Sequence, residues 1–155
     1  MSTVDVGTTA PDFTLVDQDR QPVKLSASRG TPVVLAFFPG AFSSTCTKEL
    51  CTFNGRMDQL NAAHAQVYGI SVDTFFTLKA FRDSQHLTFP LLSDFNKDVI
   101  RQYGVVNPDM IGLKDISKRA TFVIDRGGVV RHAEVLEDAR NEPDYAKVKQ
   151  TLASL

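Results

Sequence analysis

The residues of this sequence best suited to chemistry are two thiols, Cys46 and Cys51, with four residues between them. Cys46 follows the stretch Pro39-Gly40-Ala41-Phe42-Ser43-Ser44-Thr45, which itself follows the apolar run Val33–Phe38. That order places the thiol just past a strand and at the start of a helix, where backbone N–H groups and the helix dipole favour an anion and make a thiolate reactive. An ordinary thiol ionises near pH 8.5 and is about 3% thiolate at pH 7, so lowering its pKa toward 6 gains roughly thirtyfold, or about 2 kcal/mol. Enzymes lower barriers by about 8 kcal/mol or more, so the remainder must come from aligning the reacting bond and stabilising developing charge. Metal binding fits poorly. Joining the cysteines to His64, His86 or His132 would need convergent spacings, and the sequence has no C-x-x-C or H-x-x-x-H pair. The missing C-x-x-C also argues against a disulfide reductase.

The helix carrying both thiols is predicted over 44–64. With Cys46 as origin, Leu50, Phe53, Met57 and Leu60 fall within about 40° of it and form one apolar stripe. Cys51 lies about 140° away, with Ser44, Lys48, Gly55 and Asp58, on the polar and solvent-facing side. An i, i+5 pair in a helix sets its Cα atoms about 8.5 Å apart, whereas a disulfide needs roughly 4.4–6.8 Å, so any bridge requires local unwinding. Thr45, Thr47, Thr52 and Asn54 are mediocre helix formers, and Gly55 costs up to about 1 kcal/mol relative to Ala, which makes such unwinding accessible.

The elements that must position this helix read as follows. Residues 13–17 and 22–25 bracket a turn and form a hairpin; 32–38 and 67–72 are buried strands; 74–85 is a helix carrying Phe75, Leu78 and Phe81 at helical spacing. A brief extended piece at 90–92 precedes a helix capped by Ser93 or Asp94 that stops at Gly104. Residues 107–118 read as a loop, 120–125 and 129–135 as an antiparallel hairpin, and 141–155 as an amphipathic helix. The pattern is α/β, a central mixed sheet flanked by helices, in a single domain over 1–155. A chain of 155 residues, 43% hydrophobic, buries about two thirds of its unfolded surface without metals or structural disulfides. A net charge of −1 with no block of like charge argues against nucleic acid or an anionic membrane as partner. No apolar run approaches a membrane span and the N-terminus has no basic n-region, so a cytoplasmic location is expected.

The run Pro39-x-x-x-Ser43-x-x-Cys46 resembles the Pro-x-x-x-(Thr/Ser)-x-x-Cys motif of peroxiredoxins. Cys51 is spaced as in the bacterioferritin-comigratory, or Q-type, branch, with some similarity to the alkyl hydroperoxide reductase E-type branch. Ala10-Pro11-Asp12-Phe13-Thr14-Leu15, Ser93-Asp94 and Tyr103-Gly104-Val105 are similar to other parts of the family. The resemblance implies a thioredoxin-like fold and a thiol-dependent peroxidase that uses no cofactor and acts as a monomer or homodimer. In that reading Cys46 is oxidised by hydrogen peroxide or an organic hydroperoxide to a sulfenic acid. Cys51 then closes an intrachain disulfide that thioredoxin or a similar dithiol reductant opens. The family also implies roles for Ser43 on thiolate or peroxide, for Pro39 as a wall against water, for Arg119 as the activating cation and for Glu49 as the acid that orients it. Taken without the family, these residues are an N-cap, a strand terminator, a solvated arginine no different from Arg101 or Arg131, and a first-turn acid. A one-cysteine cycle with an external thiol and a redox sensor without turnover are the alternatives. Ser stands at 43 where the family more often has Thr, which frees the hydroxyl rotamer. Phe42, Phe75, Phe76 and Phe81 could line an apolar mouth, but most are expected in the core.

Overall fold

A strand whose every residue is apolar can satisfy both faces only at the centre of a sheet covered on both sides. In the computed structural model, which describes residues 3–155, the strand at Val33–Phe37 is buried at all positions. In chain order the elements are β1 (Thr14–Asp17), β2 (Pro22–Lys24), β3 (Val33–Phe37), α1 (Ser44–Gly55), α2 (Met57–Ala62), β4 (Gln66–Ser71) and α3 (Phe75–Gln85). There follow β5 (Leu91–Ser93), α4 (Asp98–Gln102), β6 (Val106–Met110), β7 (Leu113–Ser117), β8 (Arg119–Ile124), β9 (Val130–Leu136) and α5 (Tyr145–Ala153). A 3-10 turn at Leu25–Ser28 follows β2.

Seven strands form one sheet in the order β2-β1-β5-β4-β3-β8-β9. β4 runs parallel to β3 and β5, while β8 is antiparallel to β3. The period-2 alternation of β3 divides the core. Val33, Leu35 and Phe37 face a layer with Val99, Ile100 and Tyr103 of α4 and its end. Val34, Ala36 and the following Phe38 face a layer built from α1, α2, α3 and α5 through Leu50, Leu60, Phe81 and Leu152. The fold is thus a mixed sheet with helices on both faces and an N-terminal hairpin.

Four elements differ from the sequence expectation. The single helix over 44–64 breaks at Arg56, whose φ of −101° and ψ of 8° leave the helical region. The break follows Gly55 and a run of weak helix formers. The stretch read as a loop over 107–118 is instead the hairpin β6–β7, closed by Ile111-Gly112 with φ of 49° and 90°. Positive φ at both central residues is the signature of a primed turn. The pair was hidden because Pro108 cannot donate to a ladder and because its residues show no two-residue burial alternation. The last helix starts at Tyr145, not 141, behind Pro143 and capped by Asp144, which accepts from the Lys147 N–H. α4 starts at Asp98 with Lys97, not Ser93 or Asp94, at its N-cap position, yet the Asp94 carboxylate reaches its first turn, accepting from Val99 N and Ile100 N at 3.1 and 2.8 Å.

Candidate active site

The chain leaves β3 through the buried Pro39 and turns over Gly40–Phe42, with Phe42 at φ 69°. Asp73, after β4, fixes this turn: its carboxylate accepts from Ala41 N at 2.8 Å and from Ser71 Oγ at 2.6 Å. Ser43 then enters α1 in an extended conformation. Its carbonyl accepts from Thr47 N and Thr47 Oγ1, while its hydroxyl donates to Gly40 O at 3.0 Å. The side chain therefore makes no capping bond. Cys46 follows on the first turn of α1, fully buried.

Sheet register brings the cation. Phe37 at the end of β3 pairs with Ala120, so Arg119 at the start of β8 sits beside the N-terminus of α1, although 73 residues separate it from Cys46. Arg119 Nη2 donates to Cys46 Sγ at 3.2 Å and Nη1 to Glu49 Oε1 at 2.8 Å. Nε and Nη2 also donate to Ala139 O at 3.2 and 3.0 Å. Glu49 lies three residues after Cys46 and so shares its helix face; it is fully buried and Arg119 is 1% exposed. Burial pushes the Glu49 carboxyl up to about 7, against the pull of Arg119. Burial opposes the charge of Arg119, but Glu49 and Cys46 outweigh it and hold its proton more tightly than usual. Glu49 Oε2 has no hydrogen-bond partner among the described residues. Desolvating such a pair costs several kcal/mol per ion, so its value lies in aiming a fixed guanidinium at the sulfur.

Pro39, Ser43, Thr45, Arg119 and Ala139 line an open cleft of about 790 Å³ together with Met110 and Ile111 of the β6–β7 hairpin. Cys46 and Glu49 are fully buried and are not among the residues that line it. Of the residues singled out in the sequence, five converge here and Cys51 does not. Cys51 is half-buried, not solvent-facing as its wheel position implied: α3 packs beside it, and its thiol donates to Gln85 Oε1 at 3.6 Å. Both cysteines are free thiols. Near the end of α1, Asn54 binds the segment after α3, accepting from Thr88 N and Thr88 Oγ1 at 2.8 Å each and donating to His86 O at 3.2 Å. Of the four phenylalanines expected mostly in the core, only Phe81 is fully buried; Phe42 and Phe76 are exposed. Phe42 still packs on Phe81, its ring centroid 5.0 Å away. Ala139 and Met110 were not anticipated. Ala139 acts through its carbonyl, for which side-chain identity carries no signal. Among the described residues there is no group of three or more His, Cys, Asp or Glu able to hold a metal ion, and no helix long and apolar enough to cross a membrane.

Comparison with known proteins agrees with this fold. Residues 6–133 match the AhpC/TSA family. The chain is 41% identical over 128 residues to the chloroplastic peroxiredoxin Q of Sedum lineare, covering 83% of this chain and 67% of the relative. Against the chloroplastic peroxiredoxin Q of Triticum aestivum it is 40% identical over 129 residues, covering 83% and 58%. Among solved structures, peroxidoxin BcpB from Mycobacterium tuberculosis superposes with a TM-score of 0.87 at 34% identity, over 97% of each chain. A cysteine-to-serine mutant of PrxQ from Xylella fastidiosa shares the fold with a TM-score of 0.88 at 23% identity, over 99% and 98% of the chains. An arginine-bound cysteine at a helix N-terminus, on this fold and with these relatives, leads to one conclusion: the chain belongs to the AhpC/TSA family and is a peroxiredoxin, a thiol-dependent peroxidase with relatives of the Q type.

Proposed function

We propose that Cys46 is the peroxidatic cysteine and Cys51 the resolving one. The observation that carries the assignment is the guanidinium of Arg119, held by Glu49 and Ala139 with an N–H donor nitrogen 3.2 Å from Cys46 Sγ. The peroxide enters by the cleft beside Ser43 and Thr45. The Cys46 thiolate attacks one peroxide oxygen, the O–O bond breaks, and the departing alkoxide or hydroxide takes a proton to leave as alcohol or water. Sulfur keeps one oxygen as sulfenic acid. Arg119 stabilises charge on sulfur and on the oxygen in flight, Ser43 turns its hydroxyl from Gly40 O toward the peroxide, and Pro39 shields the sulfur from water.

In the second step Cys51 attacks the sulfenic sulfur, forming the disulfide and releasing water. An intact α1 holds the Cα atoms about 8.5 Å apart, so the helix unwinds between them first. A thioredoxin-like dithiol then reduces the bridge, becoming a disulfide itself. The protein works in the cytoplasm, as monomer or homodimer, on hydrogen peroxide and organic hydroperoxides. One equivalent of peroxide followed by non-reducing mass spectrometry tests the cycle. A Cys46–Cys51 linkage is expected; lasting sulfenic acid on Cys46 beside a free Cys51 thiol would instead assign a one-cysteine mechanism. Steady turnover with thioredoxin and its reductase is the second requirement, and oxidation without turnover would make the protein a sensor.

A further inference from the structure

A second concavity lies at the opposite end of α1 from Cys46, between α1, α2 and α5. It is a half-open slot of about 400 Å³, within the size range of sites for small organic ligands. Leu60, Val148 and Leu152 form an apolar floor, and Phe53 and Tyr145, packed edge to face with centroids 5.2 Å apart, form a wall. Arg56, Arg126 and Lys149 line its rim together with the His64 ring; no Asp or Glu side chain does, and the last residue, Leu155, lines it as well. Among the described residues none of these four basic side chains makes an ion pair with a carboxylate. Arg56 is held in place over the Tyr145 ring, 5.3 Å from its centroid. Such a concentration of unpaired positive charge is notable in a chain of net charge −1.

We infer that this slot binds an amphipathic anion, a single carboxylate or sulfonate on an apolar body of about ten carbons, a size that suits a small-ligand site. The body lies on Leu60, Val148 and Leu152 against Phe53, and the anionic head meets Arg56, Arg126 and Lys149. Charge complementarity fixes the sign of the ligand, and the apolar floor requires a body larger than an inorganic anion. The inference is independent of the catalytic cycle, since none of the residues lining the slot lines the cleft beside Ser43 and Arg119.

Decanoate, titrated into the reduced full-length protein below micelle-forming concentrations and followed by calorimetry and amide chemical shifts, tests this. One site is expected, with shifts centred on Phe53, Ala63 and Lys149. Acetate, which lacks the body, and decyltrimethylammonium, which reverses the charge, should each bind at least tenfold more weakly. Lys149→Glu and Arg56→Gln, both at exposed positions, should each weaken decanoate at least tenfold with peroxide consumption unchanged as a control for folding. Decanoate affinity untouched by either variant, or matched by the cationic probe, would overturn the assignment. So would an absence of binding accompanied by self-association that Lys149→Glu abolishes, which would give the slot to a second copy of the chain.

Discussion

The N-terminal half of α1 is tied down by charge, through Arg119 to Glu49 and Cys46, all 1% exposed or less. The last turn of the helix is tied by neutral bonds from Asn54 to His86 and Thr88, at positions open to water. A buried ionic anchor is costly to break because each partner would be left desolvated and unpaired. Neutral bonds near solvent cost little to exchange for water. In the proposed cycle, one helix thus has a fixed end that holds Cys46 and a releasable end that would let Cys51 travel. Cys51, half-buried against the core with one long hydrogen bond to Gln85, belongs to the releasable part.

The sharpest break in this comparison is at the sulfurs. Cys46→Ser should abolish peroxide consumption, whereas Cys51→Ser should keep the first oxidation at its normal rate and lose only the disulfide; single-turnover kinetics showing equal loss in both would erase the distinction. Next comes the anchor. Arg119→Ala should slow the first oxidation by about 10²–10³-fold, the range for losing one oriented donor. It should also cost about 3–5 kcal/mol in urea unfolding because Glu49 is left unpaired. Arg119→Lys, which keeps charge but not the fork, should recover only part of both.

The anchor also carries a pH signature. A buried acid raised to about 7 holds its proton more tightly folded than unfolded, so stability falls as pH climbs from the ordinary carboxyl value through that range. Wild-type stability relative to Glu49→Gln should therefore be level below about pH 4.5 and decline toward about pH 7. Parallel unfolding curves across that window would show that Glu49 does not titrate there. The smallest effect is at the releasable end. Asn54→Ala should lose about 1–2 kcal/mol, leave sulfenic acid formation unchanged and speed disulfide closure. Slower closure would mean that Asn54 guides Cys51 instead of restraining it.

The sequence made the reactive helix legible because its cues are local: a strand, a proline, a polar N-terminus and an apolar stripe containing Cys46 and Leu50. Its pairing with Arg119 was not local. Nothing between residues 47 and 118 announces that β8 lies beside β3, and only the family likeness singled out Arg119 from Arg101 or Arg131. The Cys51 environment was misjudged because a helical wheel knows the polarity of its own residues but not that α3 packs alongside. The hairpin β6–β7 escaped because turn geometry at Ile111-Gly112, not residue alternation, defines it. Ser43 satisfied the pattern for a cap, yet its hydroxyl found a nearer acceptor in Gly40 O.

The outer wall of the cleft is made by that overlooked hairpin. β6 and β7 pair with each other and with no strand of the seven-stranded sheet, and Ile111 at the tip is 92% exposed. The groups proposed to act on peroxide, by contrast, stand on β8 of the main sheet and on α1 packed over it. Machinery and wall are therefore separable under mutation. Met110 and Ile111 are open to variation that reshapes the entrance with little loss of stability, while the register that sets Arg119 against Cys46 stays untouched. If peroxide enters by this cleft as proposed, a lineage, or an engineer, has a modular handle on which peroxides enter without renegotiating the chemistry that consumes them.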